Sequence, residues 1–258
     1  MNKIIFFGNG PLADYALSVL EQNFEVIFHA REKADLVKVK ELKAAHPETH
    51  GILASFGVMI KSDVLDLFEP EGILNIHPSL LPAYRGPSPI EGAILNGDTE
   101  FSVSIMKLVL AMDAGPIYYQ ETLRDLPLEK EEIYKALAEC GAKWLSLNLS
   151  NLPEPVAQDD KAATFTQKFE KSDGIFDFSK TLTEVAYRKI VAFQGFPKVK
   201  YTFFGLPCII LEAEILKPGE TAVLEIPCLD GTLSVKKLQP EGRKAMDAKS
   251  FLNGHKKN

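Results

Sequence analysis

A chain of 258 residues is long for one compact domain and short for three, so two domains serving one function are expected. Hydrophobic residues at 46% and charged residues at 25% match folded soluble proteins and exclude extensive disorder, and no apolar run reaches the roughly 18 to 20 residues of a membrane span. The net charge of −6 divides unevenly: residues 1–160 hold 13 Lys+Arg against 24 Asp+Glu (−11), and residues 161–258 hold 16 against 11 (+5), an excess that suits either a polyanion-binding surface or simple solvation.

In chain order, residues 1–8 are too short and glycine-broken for a signal peptide, so a cytoplasmic protein with no membrane partner is expected. Short apolar runs at 4–7, 26–29, 51–54 and 72–76 alternate with helical patterns at 11–21, 35–45 and 62–68. Pro11 suits a first helical position, and Asp35 stands where an N-cap belongs. Such alternation predicts an α/β fold, a doubly wound and mostly parallel sheet with helices on both faces. Two further strand-like runs, 101–108 and 117–122, precede a helix over 128–149 that carries Ile133, Leu137, Cys140, Trp144 and Leu147 at helical spacing.

Residues 151–160, with Pro153 and Pro155, break the periodicity and read as a linker. A helix follows from about Thr181, where Thr181-Leu182-Thr183-Glu184 fits a capping box, and it ends before Gly195 and Pro197. Strand-like runs at 199–204, 208–216, 222–226 and 232–238 then succeed one another without helices, which predicts a small β-barrel of the oligonucleotide-binding (OB-like) kind. The expected organisation is a catalytic domain over 1–150, a linker over 151–170 and a C-terminal domain over 171–258. Cys140, Cys208 and Cys228 lack C-x-x-C spacing, so buried free thiols are expected and no metal site.

Three segments carry chemistry. Gly8-Asn9-Gly10-Pro11-Leu12-Ala13 formally satisfies the G-x-G-x-x-[GA] dinucleotide pattern, yet the chain reads His29-Ala30-Arg31 where that pattern needs an acid, so a tight strand-to-helix turn competes with a bound cofactor. Asn75-Ile76-His77-Pro78 leaves the C-terminal end of a buried strand, where α/β sheets bind ligands, and period-two alternation points Asn75 and His77 the same way. There an amide can donate to a developing oxyanion while an imidazole moves a proton or stabilises the same oxygen. Asp113, bracketed by Met112 and Ala114 in a loop between strands, would orient His77 and raise its pKa if the fold brings the two together; a turn-stabilising aspartate is the alternative.

Asn75-x-His77-Pro78-Ser79-Leu80-Leu81-Pro82 with Arg85-Gly86, followed by Met112-Asp113-Ala114-Gly115, resembles the active-site signature of the 10-formyltetrahydrofolate-dependent formyltransferases. Residues 165–178, 192–197 and 238–246, with Phe251-Leu252-Asn253-Gly254, resemble the C-terminal domain of the methionyl-tRNA formyltransferases. The resemblance implies direct formyl transfer from 10-formyltetrahydrofolate to the α-amine of initiator methionyl-tRNA, without a covalent enzyme intermediate. Asn75 and His77 would bind the formyl oxygen, and Asp113 would hold His77 and help to move the amine proton. It also implies a folate site formed by Phe56, Gly57, Val58, Met59 and Ile60, by Ser79, Leu80, Leu81 and Pro82, and by Met112 and Ala114, with backbone groups of the Asp113 loop facing the pterin. Arg85, Lys236, Lys237, Arg243 and Lys244 would contact tRNA, and the protein would act as a monomer.

This chain departs from the family in passing almost directly from His29 to one helix, where relatives carry a long basic loop, a strand and a helix. The acceptor end of the tRNA would then meet Arg31, Lys33, Lys38 or Lys40, if anything. Phe178 stands where the family usually has tryptophan. Two other readings compete: a sugar-nucleotide amine N-formyltransferase with the same Asn, His and Asp, against which the C-terminal barrel and the Gln239–Met246 stretch argue, and an NADP-dependent dehydrogenase resting on Gly8–Ala13 alone.

Overall fold

A computed structural model describes residues 1–255 and divides them into two compact units, one of Met1–Ile90 with Thr99–Gln167, the other of Glu91–Asp98 with Lys168 onward. The last three residues of the expected 171–258 domain lie outside the described residues. The first unit is built on β1 (Lys3–Gly8), α1 (Pro11–Leu20), β2 (Glu25–Ala30), α2 (Leu36–Ala45), β3 (His50–Ala54), α3 (Ser62–Leu65) and β4 (Ile73–His77). After the short helix α4 (Pro89–Asn96), most of which groups with the second unit, the first unit continues with β5 (Phe101–Lys107), β6 (Ile117–Leu123) and α5 (Lys130–Asn148). Its sheet has the order β2-β1-β3-β4-β5-β6; the β1, β2, β3 and β4 pairings are parallel, and β5 and β6 add antiparallel.

Alternation along the buried strands feeds two cores. Ile5, Phe7, Leu53 and Ile73 pack with Val39 of α2, Val64 and Leu65 of α3, and Phe68. Ile76 and Ile105 face the other way, toward Gly141 of α5, which also packs on α1. Asn75 and His77 share the parity of Ile73, so β4 turns them to the α2 and α3 face. Gly8 ends β1 because a Cβ there would lie 2.5 Å from the Ala54 carbonyl oxygen and 2.7 Å from Ala13 Cβ.

Two caps differ from expectation. Asp35 does stand at the N-cap position of α2, but its side chain makes no cap bond there: it closes the capping box of a 3-10 turn over Lys33–Asp35, its carboxylate accepting from the backbone N–H of Arg31 and of Glu32, at 2.7 and 3.0 Å. Thr181 does not cap the later helix either, because Asp230, distant in sequence, supplies the carboxylate that accepts from Thr183 N and Oγ1, both at 2.8 Å. The segment 151–167 is no free tether. It groups with the first unit through bridges from Val156 to Ile117 and from Phe165 to Arg85.

The second unit contains α6 (Thr183–Ala192), β7 (Lys200–Phe203), β8 (Leu206–Ile215), β9 (Glu225–Pro227), β10 (Thr232–Pro240), β11 (Met246–Asp247) and α7 (Ala248–His255). Its five-stranded sheet runs β11-β10-β8-β7, with β9 on β10, all antiparallel, and α6 packs on β8. Phe204 and Gly205, both at positive φ (51° and 77°), form the two-residue hairpin joining β7 to β8. Phe178 is buried in this unit and lies edge-on to Tyr201, 5.3 Å between ring centroids.

Candidate active site

The parallel strands β1, β3 and β4 end together, at Gly8, Ala54 and His77, and the segments that follow them carry most of the chemical side chains. Asn75 and His77 are buried, 5% and 4% exposed. Among the described residues the Asn75 carboxamide has no hydrogen-bond partner, although β4 holds its backbone between Leu53 and Met106. The tip of this amide is not sealed from solvent, Thr49 Oγ1 being the one sealed and unpartnered side-chain atom among the described residues, so the Asn75 NH₂ is free to donate to a ligand.

His77 is better anchored. Its Nε2 lies 3.2 Å from the Tyr84 carbonyl oxygen, which can only accept, so Nε2 carries the hydrogen and Nδ1 is left bare. Nδ1 faces Asp113 Oδ1 at 3.7 Å. Burial holds His77 below its ordinary pKa; the negative Asp113 and the Tyr84 carbonyl push upward without overcoming it. That reverses the expected rise, because the ring is far more deeply enclosed than residue types alone indicate. Asp113 sits at φ 49°, a left-handed conformation, and its other oxygen accepts from the Gly86 N–H at 2.7 Å. Gly115 follows because a Cβ at that position would lie 1.8 Å from the Lys107 carbonyl oxygen.

The folate segments are only partly open. Phe56 and Ile60 are core side chains, Phe56 edge-on to Phe7 at 5.6 Å, so they shape the 55–60 loop rather than offer a surface. Met59 projects outward, 74% exposed, from a loop turned by Ser55 and Gly57 at positive φ, with Val58 half-buried beside it. Ser79 and Leu81 also point inward. Ser79 Oγ donates to the Ala83 carbonyl, Ser104 Oγ donates to the Ser79 carbonyl at 2.6 Å, and Gln120 Nε2 donates to the Leu81 carbonyl at 2.9 Å. Of that stretch Leu80 is exposed and Pro82 half-buried; Met112 is exposed and Ala114 half-buried. Of the backbone groups of the Asp113 loop, the carbonyls of Asp113 and Gly115 accept from Gln158 Nε2 at 2.8 and 2.7 Å.

Arg85 does not belong to a tRNA surface. It is 4% exposed, and its guanidinium donates to Gln158 Oε1 (3.0 and 2.8 Å) and to Asp160 Oδ1 (2.7 Å). Its motif had suggested a free cation, but the fold spends that charge internally. Gln158, placed among linker residues by its sequence, had no periodicity or motif to mark it.

Near the shortened β2 connection, His29 Nε2 donates to the Gly8 carbonyl at 3.0 Å and Arg31 Nε donates to His29 Nδ1 at 3.3 Å. Lys38 pairs with Glu41 and Lys40 with Asp63. In the second unit Lys236 and Lys237 are both exposed, side by side, because a bulge interrupts β10, and they pair with Glu214 (2.8 Å) and Glu212 (3.2 Å). Arg243 and Lys244 are exposed in the turn after β10, without a carboxylate partner among the described residues. A cleft of about 620 Å³ in this unit is lined by charges of both signs, Glu214 and Glu220 with Lys236 and Lys249, which is not the single-sign field of a polyanion groove.

Among the described residues no group of three or more His, Cys, Asp or Glu is placed to hold a metal, and no helix is long and apolar enough to cross a membrane. Residues 11–149 match the model of the formyl transferase family and residues 168–256 that of the formyl transferase C-terminal domain. A methionyl-tRNA formyltransferase of Roseiflexus castenholzii is 35% identical over 239 residues, covering 85% of this chain and 74% of the relative. The chain belongs to the methionyl-tRNA formyltransferase family. Formyl transferases of this kind take the transferred group from a folate carrier.

Two solved structures share the fold at lower identity. HypX from Aquifex aeolicus, in complex with tetrahydrofolic acid, superposes with a TM-score of 0.76 at 20% identity over 100% of this chain, which spans 48% of that one. Methionyl-tRNA formyltransferase from Clostridium thermocellum gives 0.65 at 18% identity, covering 96% of this chain and 99% of that one.

Proposed function

We propose that this chain transfers the formyl group of 10-formyltetrahydrofolate to the α-amino group of initiator methionyl-tRNA, with Asn75, His77 and Asp113 acting on the reacting atoms. The observation that carries this is the Asn75 side chain, 5% exposed and with its amide not engaged by the described residues, on the same strand face as a His77 ring that lies 3.7 Å from the Asp113 carboxylate. Family membership and the exposed apolar side chains Met59, Leu80 and Met112, on the segments after β3 and β4 and on the Asp113 loop, support the folate assignment.

In this mechanism the Asn75 NH₂ donates to the formyl oxygen as the amine adds to carbon and negative charge collects on that oxygen. The His77 Nε2–H is the second donor, since its 3.2 Å contact with the Tyr84 carbonyl can be shared with another acceptor. His77 Nδ1 and Asp113 Oδ1 present lone pairs to each other, an arrangement that a proton converts into an imidazolium–carboxylate pair. The proton lost by the attacking amine lodges there, then passes to the folate nitrogen as its bond to the formyl carbon breaks. Because burial keeps the pKa of His77 low, the ring begins neutral and gives the proton up readily. Arg243 and Lys244, exposed and without a carboxylate partner among the described residues, would meet phosphate, with Lys236 and Lys237 beside glutamates.

The test is formyl transfer from 10-formyltetrahydrofolate to purified initiator methionyl-tRNA, with a UDP-4-amino sugar in parallel. Transfer to the tRNA supports the assignment. Transfer to the sugar alone overturns the acceptor, and transfer to neither by the folded protein overturns the reaction.

A further inference from the structure

Gln158 lies on the segment that docks along the first unit, and its side-chain amide is engaged at both ends. The oxygen accepts twice from Arg85, from Nε at 3.0 Å and from Nη2 at 2.8 Å, while the NH₂ donates to the carbonyls of Asp113 at 2.8 Å and Gly115 at 2.7 Å. This arrangement fixes which way the amide points, because a flipped amide would set NH₂ against a guanidinium and oxygen against two carbonyls. Arg85, buried and charged, therefore orients Gln158, and Gln158 holds two of the three carbonyls of Asp113-Ala114-Gly115.

We propose that Gln158 is a positioning residue for formyl transfer, clamping the left-handed backbone at Asp113 so that its carboxylate stays between His77 and the Gly86 amide. The backbone needs such a clamp: aspartate at φ 49° persists only where neighbours hold it. The carboxylate aims one oxygen at His77 Nδ1 and the other at Gly86 N, so a turn of the Asp113 peptide would move both contacts together. Thr164 and Thr166 add to the same frame. The Arg85 N–H donates to the Thr164 carbonyl at 2.9 Å, and the Thr166 N–H donates to the Arg85 carbonyl at 2.8 Å. The segment following α5 thus acts on the site without presenting a side chain to the reacting atoms.

The proposal rests on the reaction assigned above, and two readouts separate it from that assignment. Gln158→Met keeps length and removes every polar contact; Gln158→Glu keeps oxygens for Arg85 and removes the NH₂. Both variants are expected to lose about tenfold to a hundredfold in kcat with KM for the folate donor nearly unchanged. In an Asp113→Asn background Gln158→Met is expected to cost nothing more, since it acts through that carboxylate. Independently of activity, hydrogen exchange at the Gly86 amide is expected to rise about tenfold or more in Gln158→Met, with the β4 and β5 amides unchanged. Unaltered Gly86 exchange would overturn the clamp, as would wild-type kcat in Gln158→Glu, which would reduce Gln158 to a partner for Arg85. Raised Gly86 exchange in a protein whose wild type transfers no formyl group would leave the clamp standing and remove the assigned reaction.

Discussion

At the residue scale the chemistry depends on how deeply β4 buries two polar side chains. Asn75→Ala removes the donor to the charged oxygen and is expected to lower kcat by about a hundredfold or more with the fold intact, read by single-turnover transfer and circular dichroism. Wild-type turnover would mean that the oxygen is held elsewhere. For His77 the consequence reaches stability. Its folded pKa lies below the ordinary value of about 6.5, so as pH falls through that value the unfolded chain binds a proton that the folded chain refuses. Unfolding free energy therefore declines on acidification in that window and is regained above it. His50, half-buried and depressed by the same desolvation, contributes with the same sign. The urea midpoint is expected to be level from about pH 8 to 7 and to fall between about pH 6.5 and 5, before the carboxylates titrate. His77→Asn should remove part of that slope; a midpoint constant down to about pH 5 would show that folded and unfolded chains take up protons alike and that the folded ring is not held below its ordinary value, and a midpoint that rose on acidification would show a ring protonated in the folded state. The pairing of Asn75 with His77 on one strand face was legible from period-two spacing. The direction of the histidine shift was not, because Asp113 is visible in a motif while depth of enclosure is a property of the folded sheet.

At the element scale, α5 decides how closely β4 can be held. A Cβ at Gly141 would lie 2.7 Å from Ile76 Cγ2, on the strand that carries Asn75 and His77. Gly141→Ala gains about 1 kcal/mol of helix propensity and costs about 1 to 3 kcal/mol of overpacking, so net destabilisation of up to about 2 kcal/mol is expected, with lowered kcat as β4 shifts. Equal or raised thermal stability would place the slack in Ile76. The parallel strands and long helices were legible because they are periodic and buried on one or both faces. What escaped was short or non-local. Helix α4 lies behind Pro87-Ser88-Pro89, which reads as loop; β11 has two residues; and the cap of α6 comes from Asp230, far along the chain, so the Thr181–Glu184 pattern offered a local answer to a tertiary question. The 151–167 stretch is similar. Its prolines mark the end of periodicity, but its role follows from single contacts such as Gln158 to Asp113 that no repeat announces.

At the scale of the whole molecule the charge division sets what can be tested about the acceptor. The part of the chain after residue 160 is +5, yet its cations are not equivalent. Lys236 and Lys237 are each already beside a glutamate, and exposed pairs of this sort are weak, so a phosphate can compete for them only by leaving Glu214 and Glu212 unpaired. Arg243 and Lys244 carry no such offset among the described residues. Each phosphate contact that releases a counterion adds roughly one unit to the dependence of log K on log salt, somewhat less on single strands. Replacing Arg243 and Lys244 together by alanine is therefore expected to flatten the salt slope of initiator-tRNA binding by about 2, and replacing Lys236 and Lys237 together to flatten it by less. Formyl transfer at saturating tRNA should be retained in both, since both pairs are assigned to tRNA affinity and not to the chemical step. The measurement is tRNA affinity across a range of potassium chloride concentrations for the wild type and the two double variants. A larger loss from the Lys236 and Lys237 pair would mean that the glutamates yield to phosphate and that the β10 bulge is the contact; an unchanged slope in both would move the RNA surface off this face of the second unit.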